Sequence, residues 1–296
     1  MKIFAYTGEQ SNFGDDLNHW LWPKILPDFF DDDDAVRFIG IGSTLYDSHP
    51  ATSRKVVFGA GYAGYSALPT LDDSWDIRFV RGRNTARALG LAEDLAVGDA
   101  AILIRTLQLP PVEKRHAVSF MPHFESANQG DWAQVCAQAG VHMIDPRWPV
   151  ERILDDMLAS ELLISEAMHG VIVADALRVP WQAIEPLDPN HRAKWQDWAS
   201  VLDVTINFQR LGPSTLFEWA MTRFWTRRRI IYAMRKRRAK LMKLGGGLPF
   251  PGTVARLKAL KVATGQLSPE PAIMRATERM AAHVVQLRQS YPQAQA

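Results

Sequence analysis

His169 ends the run Glu161-Leu-Leu-Ile-Ser165-Glu166-Ala-Met168-His169-Gly170, and the helical pattern Val-Ile-Val-Ala-Asp-Ala-Leu177 follows it. An apolar strand passes into small and polar residues and then into a helix. The imidazole therefore falls at the carboxyl end of a strand and the amino end of a helix, the edge where open α/β sheets keep their ligands. A helix start supplies unpaired N–H groups and favours an anion. Histidine titrates near neutrality, so an imidazole beside an anion site suits general acid–base work.

Other candidates occupy similar junctions. Asn12-Phe-Gly14-Asp15-Asp16-Leu-Asn18 joins the first strand to the first helix. Gly14 permits a close backbone approach, and the N–H groups after it can hold a phosphate or a sugar hydroxyl. Asp15 and Asp16 equally suit a plain helix cap. The dinucleotide fingerprint Gly-x-Gly-x-x-Gly is absent. Gly40-Ile-Gly42-Ser43-Thr44 and Gly59-Ala-Gly61-Tyr62 end two further strands, and they read either as a cleft floor or as tight turns. Arg81, which closes the strand Phe79-Val80, and Arg83 carry planar forks that fit a carboxylate or phosphate. His123 and Glu125 leave another strand in Met121-Pro-His-Phe-Glu-Ser126, whereas His19, His116 and His191 read as surface or packing residues. The histidines are scattered, without partner carboxylates at metal spacing, so no metal site is expected. No Gly-x-Ser-x-Gly elbow occurs either.

The elements that must position these residues alternate. Strands are predicted at 3–6, 36–41, 56–58 and 77–80, with helices over 16–26 and 85–89. Leu109-Pro-Pro-Val112 is a stiff break. The rhythm then repeats: strands at 117–121, 141–144, 162–164 and 181–184, and helices at 132–139, at 150–158 and after His169. This is the pattern of parallel sheets covered by helices. It predicts two Rossmann-like units facing each other across a cleft, residues 1–112 and 113–210. A helical extension over 211–296 carries a last helix at 273–288 and a frayed polar tail.

The composition of the 296 residues, 47% apolar and 22% charged, is that of an ordinary globular protein. The single cysteine, Cys136, excludes an internal disulfide and a thiolate metal cluster, and its helical surroundings mark a buried structural thiol. No stretch approaches the roughly 20 apolar residues that span a bilayer. The opening eight residues are too short for a secretory signal and read as the first strand. A cytosolic protein is expected, which leaves contact with a membrane surface open. The net charge of +2 hides a local surplus: thirteen Lys and Arg lie between Glu218 and Glu270 with no acid among them.

The ordered set Asn12-x-Gly14-Asp15, Gly40-x-Gly42-Ser43-Thr-Leu, Arg81-x-x-x-Thr85 and Ser165-x-x-Met168-His169-Gly170-x-x-x-Ala-Asp-Ala-Leu resembles the polysaccharide pyruvyl transferases, above all their exopolysaccharide (succinoglycan-type) branch. The resemblance covers roughly residues 1–185. It implies a two-domain glycosyltransferase-B-like fold. It also implies transfer of the enolpyruvyl part of phosphoenolpyruvate to a sugar, closing a ketal and releasing phosphate. By resemblance the family's histidine falls on His169, its anion-binding arginine on Arg81 and its Gly-Asp pair on Gly14-Asp15. Where the family commonly has an arginine two positions before the histidine, this chain has Ala167, so donor binding falls to Arg81 with Arg83 or Arg105.

In that chemistry an imidazolium protonates the enol methylene, arginine and helix N–H groups hold the donor's anionic groups, and Asp15 takes the proton of the incoming hydroxyl. Catalytic roles fall on His169, Asp15 and Arg81. Asn12, Gly14, Gly42, Ser43, Gly61, Arg83, Arg105, His123, Ser165, Glu166, Met168 and Gly170 line the substrate site. Phosphoenolpyruvate is a co-substrate, and neither a cofactor nor a metal is required.

The segment 216–243 mixes Trp219, Trp225 and Tyr232 with Arg and Lys at helical spacing. It reads as a helix lying on an anionic membrane, as a plain packed helix, or as a nucleic-acid binder. The first suits a lipid-linked oligosaccharide acceptor on the inner face of the cell membrane, and no nucleic-acid partner is expected. A homo-oligomer is compatible with the chain. Two rival functions remain. One is a glycosyltransferase using a nucleotide sugar, with Glu185 as its ribose-recognising acid; the other is a non-catalytic saccharide- or membrane-binding component.

Overall fold

The computed structural model describes residues 1–6, 11–186, 191–224 and 228–292. Trp225, Thr226 and Arg227 of the basic segment, residues 7–8 of the opening stretch and the tail beyond 292 lie outside the described residues.

Two four-stranded parallel sheets form the frame. In the first, β1 (Lys2–Phe4), β2 (Val36–Ile39), β3 (Arg54–Phe58) and β4 (Trp75–Phe79) lie in chain order. The apolar runs of β2 and β3 are buried, as strands covered on both faces must be. Helix α1 (Phe13–Ile25) follows β1 and α2 (Arg83–Ala88) follows β4. A buried 3-10 segment, Ala100–Thr106, closes this half.

In the second sheet the order is β6-β5-β7-β8. Strand β5 is His116–Met121, β6 His142–Met143, β7 Ser160–Ser165 and β8 Trp181–Ala183. Four helices connect them: α3 (Phe124–Gln129), α4 (Trp132–Ala139), α5 (Val150–Leu158) and α6 (Met168–Ala176). Helix α6 is apolar apart from His169 and Asp175, and its residues from Gly170 to Ala176 are all buried, so it is a core helix rather than a surface one.

The α/β class and the strand–helix rhythm are as expected, but the halves share one core. Helix α1 packs on α5 and α6, and the 100–106 segment packs on α6. A single apolar cluster runs from Phe13, Trp22 and Phe58 through Ile102 to Val171, Trp181 and Trp198. Helix α7 (Arg192–Ala199) then packs on α2 of the first half.

The last eighty residues are more integrated than an extension. Helices α8 (Leu216–Arg223), α9 (Arg228–Lys236) and α10 (Arg238–Leu241) precede α11 (Thr253–Leu260), which packs on α4. Helix α12 (Glu270–Ser290) returns to the first half. There Tyr291 donates to Asp76 Oδ2 at 2.8 Å and accepts from Arg54 Nε at 2.8 Å. The helix predicted at 273–288 is this one, longer at both ends.

Candidate active site

His169 is the second residue of α6 and lies where β7 ends. Its neighbour Ser165 accepts from Ala167 N at 3.0 Å and donates to Ala167 O at 2.9 Å, which shapes the strand-to-helix turn. Gly170 is needed there, because a Cβ would meet Met121 Sδ and Ser165 Oγ at 2.6 Å. Across the molecule, α1 starts at Phe13 with its N–H donated to Pro146 O at 2.8 Å. The second residue of that helix, Gly14, faces the imidazole so closely that a Cβ would collide with the ring. Two helix starts, one from each half, thus meet at His169.

The His169 side chain is 18% exposed, and its Nε2 lies 3.6 Å from Asp99 Oδ2, which is fully buried. Neither of these two atoms has a hydrogen-bond partner among the described residues. The other oxygen of Asp99 accepts from Ala101 N at 3.0 Å, so the carboxylate is fixed as the cap of the 100–106 segment.

Asp15 acts on His169 electrostatically from α1. Burial pushes its carboxyl above the usual range, while His169, a hydrogen bond from Asn12 Nδ2 at 2.8 Å and the Lys194 ammonium pull it back. Tyr46 feels Asp15 as well, and burial pushes its phenol up to about 12, so it stays a neutral hydroxyl. Asn18, fully buried, ties α1 to the glycine turn: its Oδ1 accepts from Ile41 N at 2.8 Å and its Nδ2 donates to Ile41 O at 3.0 Å. Gly42 adopts φ +121° beside Asp15, a conformation that favours glycine.

His123 borders the same region. Burial, then Lys194 and His191, push its imidazole well below the ordinary value, so it is neutral at physiological pH. Its backbone N–H donates to Glu166 Oε2 at 3.0 Å, and Ser126 Oγ donates to Glu166 Oε1 at 3.0 Å. Glu166 therefore secures the loop between β5 and α3.

The arginines expected at the donor are engaged elsewhere in the described structure. The anion Arg81 meets is Asp197, at 3.0 Å from Nε, with both side chains buried. Its Nη1 donates to Ser43 Oγ at 2.8 Å, and Gly61 must be glycine because a Cβ would strike the guanidinium. Asp197 also accepts from Thr85 N and Thr85 Oγ1, so it locks α7 to the start of α2. Arg83 is half-exposed and pairs with Glu93 at 3.1 Å. Arg105 lies at the far end of α6, donating to Ala176 O at 2.7 Å and to Glu270 at 2.6 Å. Met168 is buried in the core. Glu185, the acid a nucleotide-sugar enzyme would need, pairs with Arg192 at 3.3 Å and Arg210 at 3.0 Å.

Sequence reasoning missed Asp99, Asp197 and Lys194. Asp99 precedes the apolar run Ala-Ala-Ile-Leu-Ile and looks like an ordinary cap. Asp197 and Lys194 lie on a helix whose amphipathic pattern is too weak to announce it. Cys136 is buried, and its thiol is pushed up to about 12 by that burial, as a structural thiol should be.

Fold and site together define an α/β protein in which His169 and the buried Asp99 lie 3.6 Å apart between two parallel sheets. No family model and no solved structure matches the chain. The succinoglycan biosynthesis protein ExoV of Rhizobium meliloti (strain 1021) is 39% identical over 231 residues, covering 76% of this chain and 73% of that protein. The chain belongs to the family of that protein.

Proposed function

We propose that the protein is a biosynthetic transferase of exopolysaccharide assembly that moves the enolpyruvyl group of phosphoenolpyruvate onto a sugar as a pyruvate ketal. The observation that carries this reading is the meeting of Gly14-Asp15 and His169 across the two sheets, with Asp99 buried behind the imidazole. The relative's name, succinoglycan biosynthesis protein ExoV, supports the exopolysaccharide setting. The resemblance of the motifs to the pyruvyl transferases supports the donor.

In this scheme His169 as imidazolium protonates C3 of the donor, with the Asp99 carboxylate 3.6 Å from its Nε2. A sugar hydroxyl adds to the positively polarised C2 and gives its proton to Asp15. The C2–O bond to phosphate then breaks, the phosphate leaves, and a second hydroxyl closes the ketal while its proton passes to the departing phosphate. The reaction needs no metal or cofactor. Lys194 takes the place of the arginine absent at Ala167 and faces the donor's anionic groups, supported by its pull on both Asp15 and His123. Arg81 serves as a positioning residue that holds Ser43 and the cleft floor. The two sheets act as the halves of a glycosyltransferase-B-like pair.

The acceptor is a lipid-linked oligosaccharide, met at the inner face of the cell membrane. Helices α8 to α10 support this. Ile231 is buried against Phe217 and Met221, while Trp219, Tyr232, Leu244 and Leu248 are exposed beside Arg235, Lys236, Arg238 and Lys243. Aromatics among basic residues suit an anionic headgroup layer. Among the described residues no helix is long and apolar enough to cross a membrane.

The test is phosphate release from phosphoenolpyruvate in the presence of extracted lipid-linked oligosaccharide, with His169→Ala alongside. Acceptor-dependent release that the variant lowers to a small residual rate is expected. Turnover of a nucleotide sugar instead would assign the rival donor.

A further inference from the structure

We infer that His116, His142 and Asp156 form a binding site for one transition-metal ion of the zinc class, at the edge of the second sheet opposite His169. The inference does not rest on the pyruvyl-transfer reading.

His116 opens β5, His142 opens β6, and Asp156 lies in the last turn of α5, just before β7 begins. In sequence the three are far apart, which is why the histidines look scattered; strand pairing brings them together. The two imidazoles lie parallel, 1° between planes and 3.7 Å between centroids. One carboxylate reaches both: Asp156 Oδ2 is 3.2 Å from His142 Nε2, and Oδ1 is 3.8 Å from His116 Nε2. One donor atom from each residue lies within 4.8 Å of the others. A zinc-like ion with bonds of about 2.0–2.2 Å holds its ligands roughly 3.3 Å apart, so ligation requires the two imidazoles to turn out of their stacked arrangement until both ring planes contain the ion.

A second observation concerns direction. His142 Nε2 is buried and makes no hydrogen bond although a carboxylate oxygen is 3.2 Å away. The oxygen sits beside the nitrogen rather than in line with an N–H, which is poor hydrogen-bond geometry. A nitrogen and an oxygen this close but not hydrogen-bonded can share one cation as ligands.

The surroundings suit a cation. Arg115 is paired with Asp155 at 2.6 Å, and Lys114 Nζ is held by the carbonyls of Leu158 and Ser160. Neither nearby cation is directed at the Asp156 carboxylate. Ser160 Oγ donates to Asp156 O at 2.6 Å and fixes the end of α5. The ligand side chains are 23%, 29% and 14% exposed, which leaves an entry path and room for water as a further ligand. Two imidazoles and a carboxylate favour Zn²⁺, Co²⁺ or Ni²⁺ over Mg²⁺ or Ca²⁺, which prefer all-oxygen shells.

The ion would act as a clip, not in the chemistry at the other end of β7. Strand β6 pairs with β5 through only Ser119–His142 and Phe120–Met143. A metal bridging β5, β6 and α5 would secure this short edge strand.

The test uses full-length, metal-free protein without a histidine tag. It is titrated with Zn²⁺ by calorimetry and with Co²⁺ by visible absorption, and melting is followed with each ion. One ion per chain is expected, with d–d bands for Co²⁺, a raised Tm, and affinity lowered at least 100-fold in Asp156→Asn and His142→Ala. His19→Ala, on the surface, should bind as the wild type does. If His142→Ala does not fold, His116→Gln carries the same expectation. Wild-type protein that binds neither ion at millimolar concentration, or binding undiminished in the folded variants, overturns the site.

Discussion

Asp99 Oδ2 and His169 Nε2 stand 3.6 Å apart, and neither has a hydrogen-bond partner among the described residues. A buried carboxylate with one free oxygen is costly unless something charges or moves toward it. The closing of the gap on substrate binding is the natural remedy, since catalytic hydrogen bonds often tighten only in the complex. Asp99→Asn should therefore lower kcat by about 10- to 1,000-fold with little change in KM. In a His169→Ala background the same substitution should add nothing. An equal loss in both backgrounds would mean that Asp99 serves only the 100–106 segment.

Arg81 and Asp197 make a different kind of pair. Both are buried, and the carboxylate also takes two hydrogen bonds from Thr85. Removing one member of a buried ion pair leaves an uncompensated charge and costs about 3–5 kcal/mol. Urea unfolding of Asp197→Asn and Arg81→Gln should show losses of that order, with the double variant losing less than the sum. Arg81→Gln with unchanged stability and lost donor affinity would return Arg81 to the role the motifs imply.

The fold was legible because strands and helices announce themselves locally. Val56 to Phe58 is an apolar run followed by glycine, and 150–158 has a strong helical stripe. His169 and Gly14 were legible for the same reason, each at a strand-to-helix junction. What stayed hidden depends on contacts across the chain. The fate of Arg81 is set by Asp197, whose helix leaves little trace in the sequence. The far-end position of Arg105 is set by Ala176 O and Glu270. His116 and His142 meet only because β5 and β6 pair, and no spacing rule foretells that.

Lys194 gives a test in pH. Burial raises the Asp15 carboxyl above its ordinary value, and Lys194 opposes that by favouring the carboxylate. If Asp15 accepts a proton, activity falls as pH drops through its pKa. Lys194→Met removes a charge that favours ionisation, so the acid limb of the kcat/KM profile should move to higher pH. The KM for phosphoenolpyruvate should also rise at least 10-fold, about 1.4 kcal/mol of lost binding. An unmoved acid limb would remove Asp15 as the base or Lys194 as its neighbour.

The exposed face of α8 to α10 predicts sedimentation with vesicles containing phosphatidylglycerol but not with neutral phosphatidylcholine vesicles. Binding should weaken as salt rises, because screening shortens the reach of Lys and Arg. Tyr232, 69% exposed, should matter through its ring, so Tyr232→Ser should reduce binding without altering Tm. Salt-independent binding, or equal binding to both vesicles, would count against a headgroup-directed surface.

Glu218 ties that same segment to the start of α4. It is fully buried, its Oε2 accepts from Ser214 N and Ser214 Oγ, and Trp132 Nε1 donates to its Oε1 at 3.1 Å. Burial pushes its carboxyl up to about 7, with the charge of Glu166 adding to the effect and the hydrogen bonds from Ser214 and Trp132 opposing it. In the unfolded chain it ionises near 4.5. Between those values the folded protein holds a proton that the unfolded chain has released, so stability falls as pH rises through this window and is level above it. Wild type should therefore lose about 2 kcal/mol relative to Glu218→Gln between pH 5 and pH 8, read from urea unfolding at each pH. The direction is opposite to that of a salt-bridged carboxylate. A difference that does not change with pH, or that grows in the wild type's favour, would show that Glu218 is ionised in the fold and that Ser214 and Trp132 outweigh its burial.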